Sequence, residues 1–206
     1  MKRRSVEWPA MKALFRLFTA LSLLWFSSCS VEEVDSNPAF DYQVYSDVFR
    51  ELKWSSNEKN VLVILQKTTC RHFLDYDSKA RSEIKKSFGS ALDDSLFEGF
   101  RRINAKPIIL EKQFEDSLSI VLLSKEEEDN IFNPSDSGWK RFYAKYPKSS
   151  GFIELSRVAF GSSKKKALLY CGTTFDRGKG GIGYYILIKK QDSKWMIEKK
   201  VRAWIA

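Results

Sequence analysis

The sequence predicts an α+β fold, with helices packed on one face of a mainly antiparallel sheet that ends in a four-stranded meander. Two observations lead to this class. The last third of the chain alternates apolar stretches with connections rich in Gly, Ser and Asp, which is typical of β-hairpins. Before it, two continuous apolar runs bounded by polar residues alternate with segments whose apolar residues recur at helical spacing.

The first half of the predicted domain alternates helices with buried strands. Each helix is predicted from apolar residues three or four positions apart, and each strand from an uninterrupted apolar run. The expected elements are a helix at 40–53, a strand at 60–66, a helix at 76–104 before Pro107, a strand at 118–123, a short turn or helix opened by the capping pair Ser124 and Glu127, and an aromatic-rich helix at 139–146 before Pro147.

The meander is predicted from four apolar stretches in the last third of the chain. Its strands are expected at residues 152–160, 166–175, 182–190 and 195–204. The three connections between them contain the Gly, Ser and Asp residues that tight turns prefer.

The first 28 residues have the pattern of an export signal, with a basic head, an apolar centre and small residues ahead of a cysteine. The uncharged stretch at 17–26 is about half of the roughly 20 residues that a membrane-spanning helix needs, so a transmembrane anchor is the weaker alternative. Phe26-Ser27-Ser28-Cys29 resembles the lipobox of bacterial lipoproteins, with Phe where Leu is usual. This resemblance implies cleavage before Cys29, diacylation of its thiol and a lipid-anchored mature protein. Met1 and Met11 are alternative start residues.

The predicted organisation is therefore a signal peptide at 1–28, a lipid-anchored tether at 29–39 and a single α+β domain at 40–206. Most residues of the tether are polar or acidic, as in a linker. The alternative is two small domains divided near Pro134. In the lipoproteins that the lipobox resembles, an Asp after the lipid cysteine commonly signals retention in the inner membrane. Ser30 therefore favours the outer membrane of the bacterial cell envelope.

Charge and composition narrow the classes of partner. The chain carries a net charge of +9, but the leading 28 residues hold five basic and one acidic side chain, which leaves +5 on the remainder. A nucleic-acid partner is not expected, because the charge is not concentrated in one stripe and the protein is predicted to be exported. The expected partners are the membrane, through the lipid, and an envelope protein. The sequence leaves the oligomeric state open.

Several motifs in the second half resemble those of a bacterial protein family. They are Trp139-x-x-Phe142-x-x-x-Tyr146-Pro147-x-Ser149-x-Gly151, Leu155-Ser156-Arg157-Val158-x-Phe160, Ala167-Leu168-Leu169-Tyr170, Gly181-x-Gly183-Tyr184-Tyr185-x-Leu187-x-Lys189 and Trp195-x-Ile197. The family consists of bacterial exported proteins and lipoproteins and has no established activity. Ala159 stands where it usually has Gly. The resemblance covers residues 96–206 and implies architecture and location, without a reaction or a ligand.

No catalytic residue, metal ligand or cofactor is predicted. His72 is the only histidine, and with Cys70 it falls short of the three or four ligands of a zinc site. The run Gly178 to Gly183 matches the dinucleotide-binding pattern, but a strand is expected after it instead of a helix. The expected function is a lipid-anchored binding or interaction module. The alternative is an envelope hydrolase assembled from distant residues such as Ser156, His72 and Asp176.

Two further groups of residues leave alternatives open. Once Cys29 is acylated, Cys70 and Cys171 are the only thiols left, and they either form a disulfide or remain two buried free cysteines. The predicted helix before Pro147 carries an aromatic stripe. Core packing explains the stripe better than a partner-binding face does, because a helix laid on a sheet buries such residues. Its members are Trp139, Phe142, Tyr143 and Tyr146.

Overall fold

The structure, a computed structural model, describes residues 38–53, 61–70, 78–115, 119–133, 137–175 and 180–206. Residues Ser36–Ala206 group into one compact unit. The elements in chain order are α1 (Pro38–Glu51), β1 (Leu62–Leu65), α2 (Ser78–Phe88), α3 (Asp94–Ile103), β2 (Ile120–Leu123), α4 (Lys125–Phe132), α5 (Gly138–Lys145), β3 (Gly151–Leu155), β4 (Ala159–Phe160), β5 (Lys166–Phe175), β6 (Gly180–Gln191) and β7 (Lys194–Ile205). Among the described residues, no helix has the length and apolar character needed to cross a bilayer.

The strands form one mixed sheet in the order β2-β1-β3-β5-β6-β7, and β4 pairs with β5 beside β3. β1 is parallel to both β2 and β3. The pairs β3–β5, β4–β5, β5–β6 and β6–β7 are antiparallel. The α+β class and the antiparallel meander are confirmed.

The helices lie on both faces of this sheet, so the expectation of a single covered face is wrong. Successive residues of a strand point to opposite faces. In β5, Leu169 and Cys171 pack in the cluster that contains α1, whereas Leu168 and Tyr170 pack against α2 and α3. A strand that is apolar on both sides needs cover on both sides, and this explains why β5 is a continuous apolar run and not an alternating one.

Helices α4 and α5 cover the parallel part of the sheet. They pack against Val63 of β1, whereas the neighbouring Ile64 points into the cluster of α1. Ser124 caps α4 by accepting a hydrogen bond from the Glu127 backbone amide, as its sequence predicts. Phe142 of α5 is fully buried at the centre of this third cluster.

Two predicted elements are divided in the structure. The helix expected at 76–104 is two helices, because Asp93 acts as an N-cap and accepts a hydrogen bond from the Leu96 amide at 2.7 Å. The strand expected at 152–160 is interrupted between β3 and β4. There the Ser156 amide still donates to the Tyr170 carbonyl, but the Tyr170 amide donates to the Ser156 Oγ instead of to a backbone carbonyl.

Helix α1 runs beside the edge strand β7. The Asp47 carboxylate accepts a hydrogen bond from the Trp195 amide at 3.0 Å, and the Glu51 carboxylate accepts one from the Ile197 amide at 2.6 Å. Four residues along a helix rise about 6 Å and two residues along a strand about 6.7 Å, so the two carboxylates match alternate amides. This part of the β7 edge is closed to another strand.

Candidate functional site

The aromatic stripe of α5 belongs largely to the core. Phe142 is fully buried, and Tyr146 is 8% exposed. Trp139 is half-buried, and its ring stacks on Phe152 with centroids 5.6 Å apart and an angle of 5° between the planes. Tyr143 is also half-buried. Phe142 and Tyr146 therefore offer little surface to a partner.

Cys70 and Cys171 are both free thiols in the structure, where Cys171 is buried and Cys70 is half-buried. The Thr69 amide donates to the Leu155 carbonyl, and Leu155 pairs with Cys171 on its other side. One strand therefore separates the two cysteines, which corresponds to about 10 Å and exceeds the roughly 7 Å between Cα atoms that a disulfide spans. Burial raises the pKa of both thiols, and at Cys171 Glu154 adds to this effect. Both cysteines remain protonated at neutral pH.

Ser156 has a structural role. It is 2% exposed, and its Oγ donates to the Arg157 carbonyl and accepts from the Tyr170 amide, both at 2.8 Å. Its hydroxyl is thus occupied and shielded from water. His72 and Asp176, the other residues of the hydrolase alternative, lie outside the described residues, as does Cys29.

The glycines at the start of β6 make room for an aromatic ring. A Cβ at Gly183 would lie 2.2 Å from Nε1 of Trp204, and one at Gly181 would lie 2.7 Å from the same ring. The Trp204 Nε1 donates to the Tyr170 hydroxyl at 2.7 Å. These glycines therefore lie within a strand and accommodate a side chain of β7, and no helix follows them as dinucleotide binding requires.

A buried ion pair fixes the turn between β3 and β4 to α1. Nε of Arg157 lies 3.7 Å from the carboxylate of Asp41, which is 1% exposed. The Val158 amide also donates to Asp41, and the Tyr45 hydroxyl donates to the Ser156 carbonyl. Burial raises the pKa of Asp41 to about 6, against the opposing effect of Arg157. The pair is structural, because it joins the helix to the sheet.

The candidate ligand site is a cavity of about 300 Å³ at the end of the sheet where β3 begins and β5 ends. This volume is at the lower limit of typical small-molecule sites. Its walls combine aromatic and aliphatic side chains with four hydroxyl groups and one lysine. The lining residues are Lys53, Val61, Leu62, Ser149, Ser150, Gly151, Phe152, Ile153, Thr173, Thr174 and Phe175.

The wall of this cavity is fixed by a residue that must be glycine. Gly151 has a φ of 151°, and a Cβ there would lie 2.1 Å from the Thr174 carbonyl oxygen. The Ser149 Oγ donates to the Gly151 carbonyl at 2.5 Å, which holds the chain as it enters β3. The lining comes from four separate parts of the sequence, and no local motif joins them.

A second cavity, of about 210 Å³, lies at the opposite end of the sheet, where β1 and β2 finish. It is lined by residues of both charges, including Lys67, Lys125, Glu128 and Glu154. It is smaller than typical small-molecule sites. Among the described residues, no group of three or more His, Cys, Asp or Glu side chains is arranged to hold a metal ion.

Comparison with known proteins identifies no relative. No protein-family model matches the chain. No curated protein and no solved structure is significantly similar to it.

Proposed function

We propose that this protein is a lipid-anchored binding module of the bacterial cell envelope, which binds a small ligand in the cavity at the start of β3. The observation that carries the binding role is the cavity itself, with its mixture of aromatic walls and hydroxyl groups. Ligand pockets are commonly apolar with a few convergent polar groups. Lys53 also lines the cavity, and its positive charge suits a ligand that has an anionic group beside an apolar body.

The anchor is supported by the sequence Phe26-Ser27-Ser28-Cys29 and by the short apolar stretch before it. Ser30 favours the outer membrane as the location. Ser156 also favours a binding role over hydrolysis. Its buried hydroxyl makes two hydrogen bonds to backbone groups, so it is not available as a nucleophile.

Nuclear magnetic resonance of the isotope-labelled mature protein tests the binding role. Benzoate, N-acetylglucosamine and D-alanyl-D-alanine serve as probes, because they present an aromatic ring with an anion, a hydroxylated ring and a short peptide. We expect at least one probe to shift the backbone amides of residues 149–153 and 173–175. Substituting Ser150→Phe, at the exposed rim of the cavity, should abolish these shifts by filling the space.

The matched control is Ser162→Phe, which makes the same change at an exposed serine outside the cavity. It should leave the shifts unchanged. If none of the three probes shifts these amides, or if Ser150→Phe leaves the shifts intact, the cavity is not the binding site.

A further inference from the structure

Exposed lysines cluster at the end of the sheet where β5 and β7 begin and β6 ends. We call this surface the lysine end. Its members are Lys164, Lys165, Lys189, Lys190 and Lys194, which are all exposed. Asp192 lies in the hairpin between β6 and β7, so positive charge clearly exceeds negative charge among these residues. Lys166 is not counted, because it is half-buried; its Nζ lies 3.3 Å from the Glu198 carboxylate.

Aromatic rings lie within the lysine end. The Lys164 Nζ is 5.9 Å from the centroid of the Phe40 ring, and the Lys190 Nζ is 5.7 Å from that of Trp195. Phe40 is 45% exposed, whereas Trp195 is buried. A surface with several cations around an exposed aromatic ring fits the interface of an anionic bilayer, where the ring enters the headgroup layer and the ammonium groups meet phosphates.

The N-terminus of the described domain lies at this same end. Phe40, in the first turn of α1, packs edge-on against Phe160 with centroids 6.3 Å apart. The Gln43 Nε2 donates to the Ser193 carbonyl in the β6–β7 hairpin at 3.4 Å. The chain from Cys29 to Pro38 spans at most about 32 Å even when fully extended. A lipid on Cys29 therefore keeps the start of α1 close to the bilayer.

We infer that the lysine end is a membrane-docking surface that binds the headgroups of anionic phospholipids. This inference rests on the proposed lipid anchor, which holds the surface at a high local concentration of headgroups. The cavity at the start of β3 lies at the other end of the sheet, so docking directs it away from the bilayer. A single lipid anchor combined with a basic patch is a known way to fix a protein on a membrane.

Lysine acetylation of the lipid-bearing protein, reconstituted in vesicles, tests the docking surface. At 20 mM salt we expect the five lysines to be acetylated several-fold more slowly on phosphatidylglycerol vesicles than on phosphatidylcholine vesicles. The difference should disappear at 500 mM salt, because salt screens exposed charges. Lys148 and Lys200, which are exposed outside the lysine end, should be acetylated equally on both. Equal acetylation of the five lysines on both vesicles would overturn the inference.

A pair of double variants separates docking from net charge. Lys165→Glu with Lys194→Glu should remove the protection of the other three lysines, whereas Lys148→Glu with Lys200→Glu, which changes the net charge equally, should preserve it. Loss of protection in both variants, or in neither, contradicts docking by this surface. Circular dichroism checks that all variants fold.

The mass of the N-terminal peptide from the same preparation distinguishes failure of the anchor from failure of the surface. If that peptide carries no lipid, the anchor proposal fails, and flotation of the protein with phosphatidylglycerol vesicles then tests the surface. The inference is retained if flotation falls by about tenfold or more in the double variant Lys165→Glu with Lys194→Glu but not in the control variant. Absence of flotation overturns it.

Discussion

Replacing Phe142 with alanine is expected to lower the free energy of unfolding by about 3–5 kcal/mol, because a fully buried aromatic side chain leaves a cavity that its neighbours only partly fill. Its ring lies 5.2–6.2 Å from five other aromatic rings. Those rings join α5 to α4 and to β3. Urea unfolding followed by tryptophan fluorescence measures the loss.

Tyr143→Ala on the same helix is the control, because Tyr143 is half-buried and its hydroxyl donates to the Ser150 carbonyl at the surface. We expect it to cost less than half as much as Phe142→Ala. The opposite order would mean that α5 turns a different face to the sheet, and the aromatic stripe would then become the leading candidate for a partner-binding surface.

Ionisation of Asp41 is expected to destabilise the folded protein as the pH rises from 4 to 6. Burial raises its pKa from 3.8 to about 6 in the folded protein. A carboxyl group whose folded pKa lies above its unfolded pKa stabilises the fold below the unfolded value, and this contribution is lost as the pH rises through the folded value. The complete loss from this group, from pH values well below 3.8 to values well above 6, amounts to about 3 kcal/mol, and about 2 kcal/mol of it falls between pH 4 and pH 6.

Asp41→Asn tests this pH dependence, because asparagine has a similar size and does not ionise. Between pH 4 and pH 7, the free energy of unfolding of the parent should fall relative to that of Asp41→Asn by about 2 kcal/mol, because part of the loss has already occurred at pH 4. Asp192→Asn, at an exposed turn where asparagine is well tolerated, should leave the decline unchanged. Parallel profiles for the parent and Asp41→Asn would show that Asp41 is not the group responsible.

Sequence patterns predicted local elements well and their packing less well. The strand at 166–175 was predicted with the bounds of β5, because its apolar run ends at a Gly- and Asp-containing turn. The number of covered faces was predicted wrongly, since a continuous apolar run does not indicate which helix covers each side. The break after Leu155 was also missed. It depends on Tyr45, whose hydroxyl bonds the Ser156 carbonyl across 111 positions of the chain.

The candidate site was beyond the reach of sequence patterns. Its wall joins Lys53 just after α1, Ser149 before β3 and Thr174 on β5, and only the tertiary fold brings these together. Gly151 was noted as part of a motif, but its requirement for glycine comes from a close approach to the Thr174 carbonyl, which no local pattern reveals.

Metabolic labelling with an alkyne analogue of palmitate tests the lipid anchor most directly. We expect the parent protein to incorporate the label in the membrane fraction, and Cys29→Ala to incorporate none, because the sulfur that accepts the lipid is absent. Undiminished labelling of Cys29→Ala, or no labelling of the parent, would contradict the proposal that this protein is a lipid-anchored binding module.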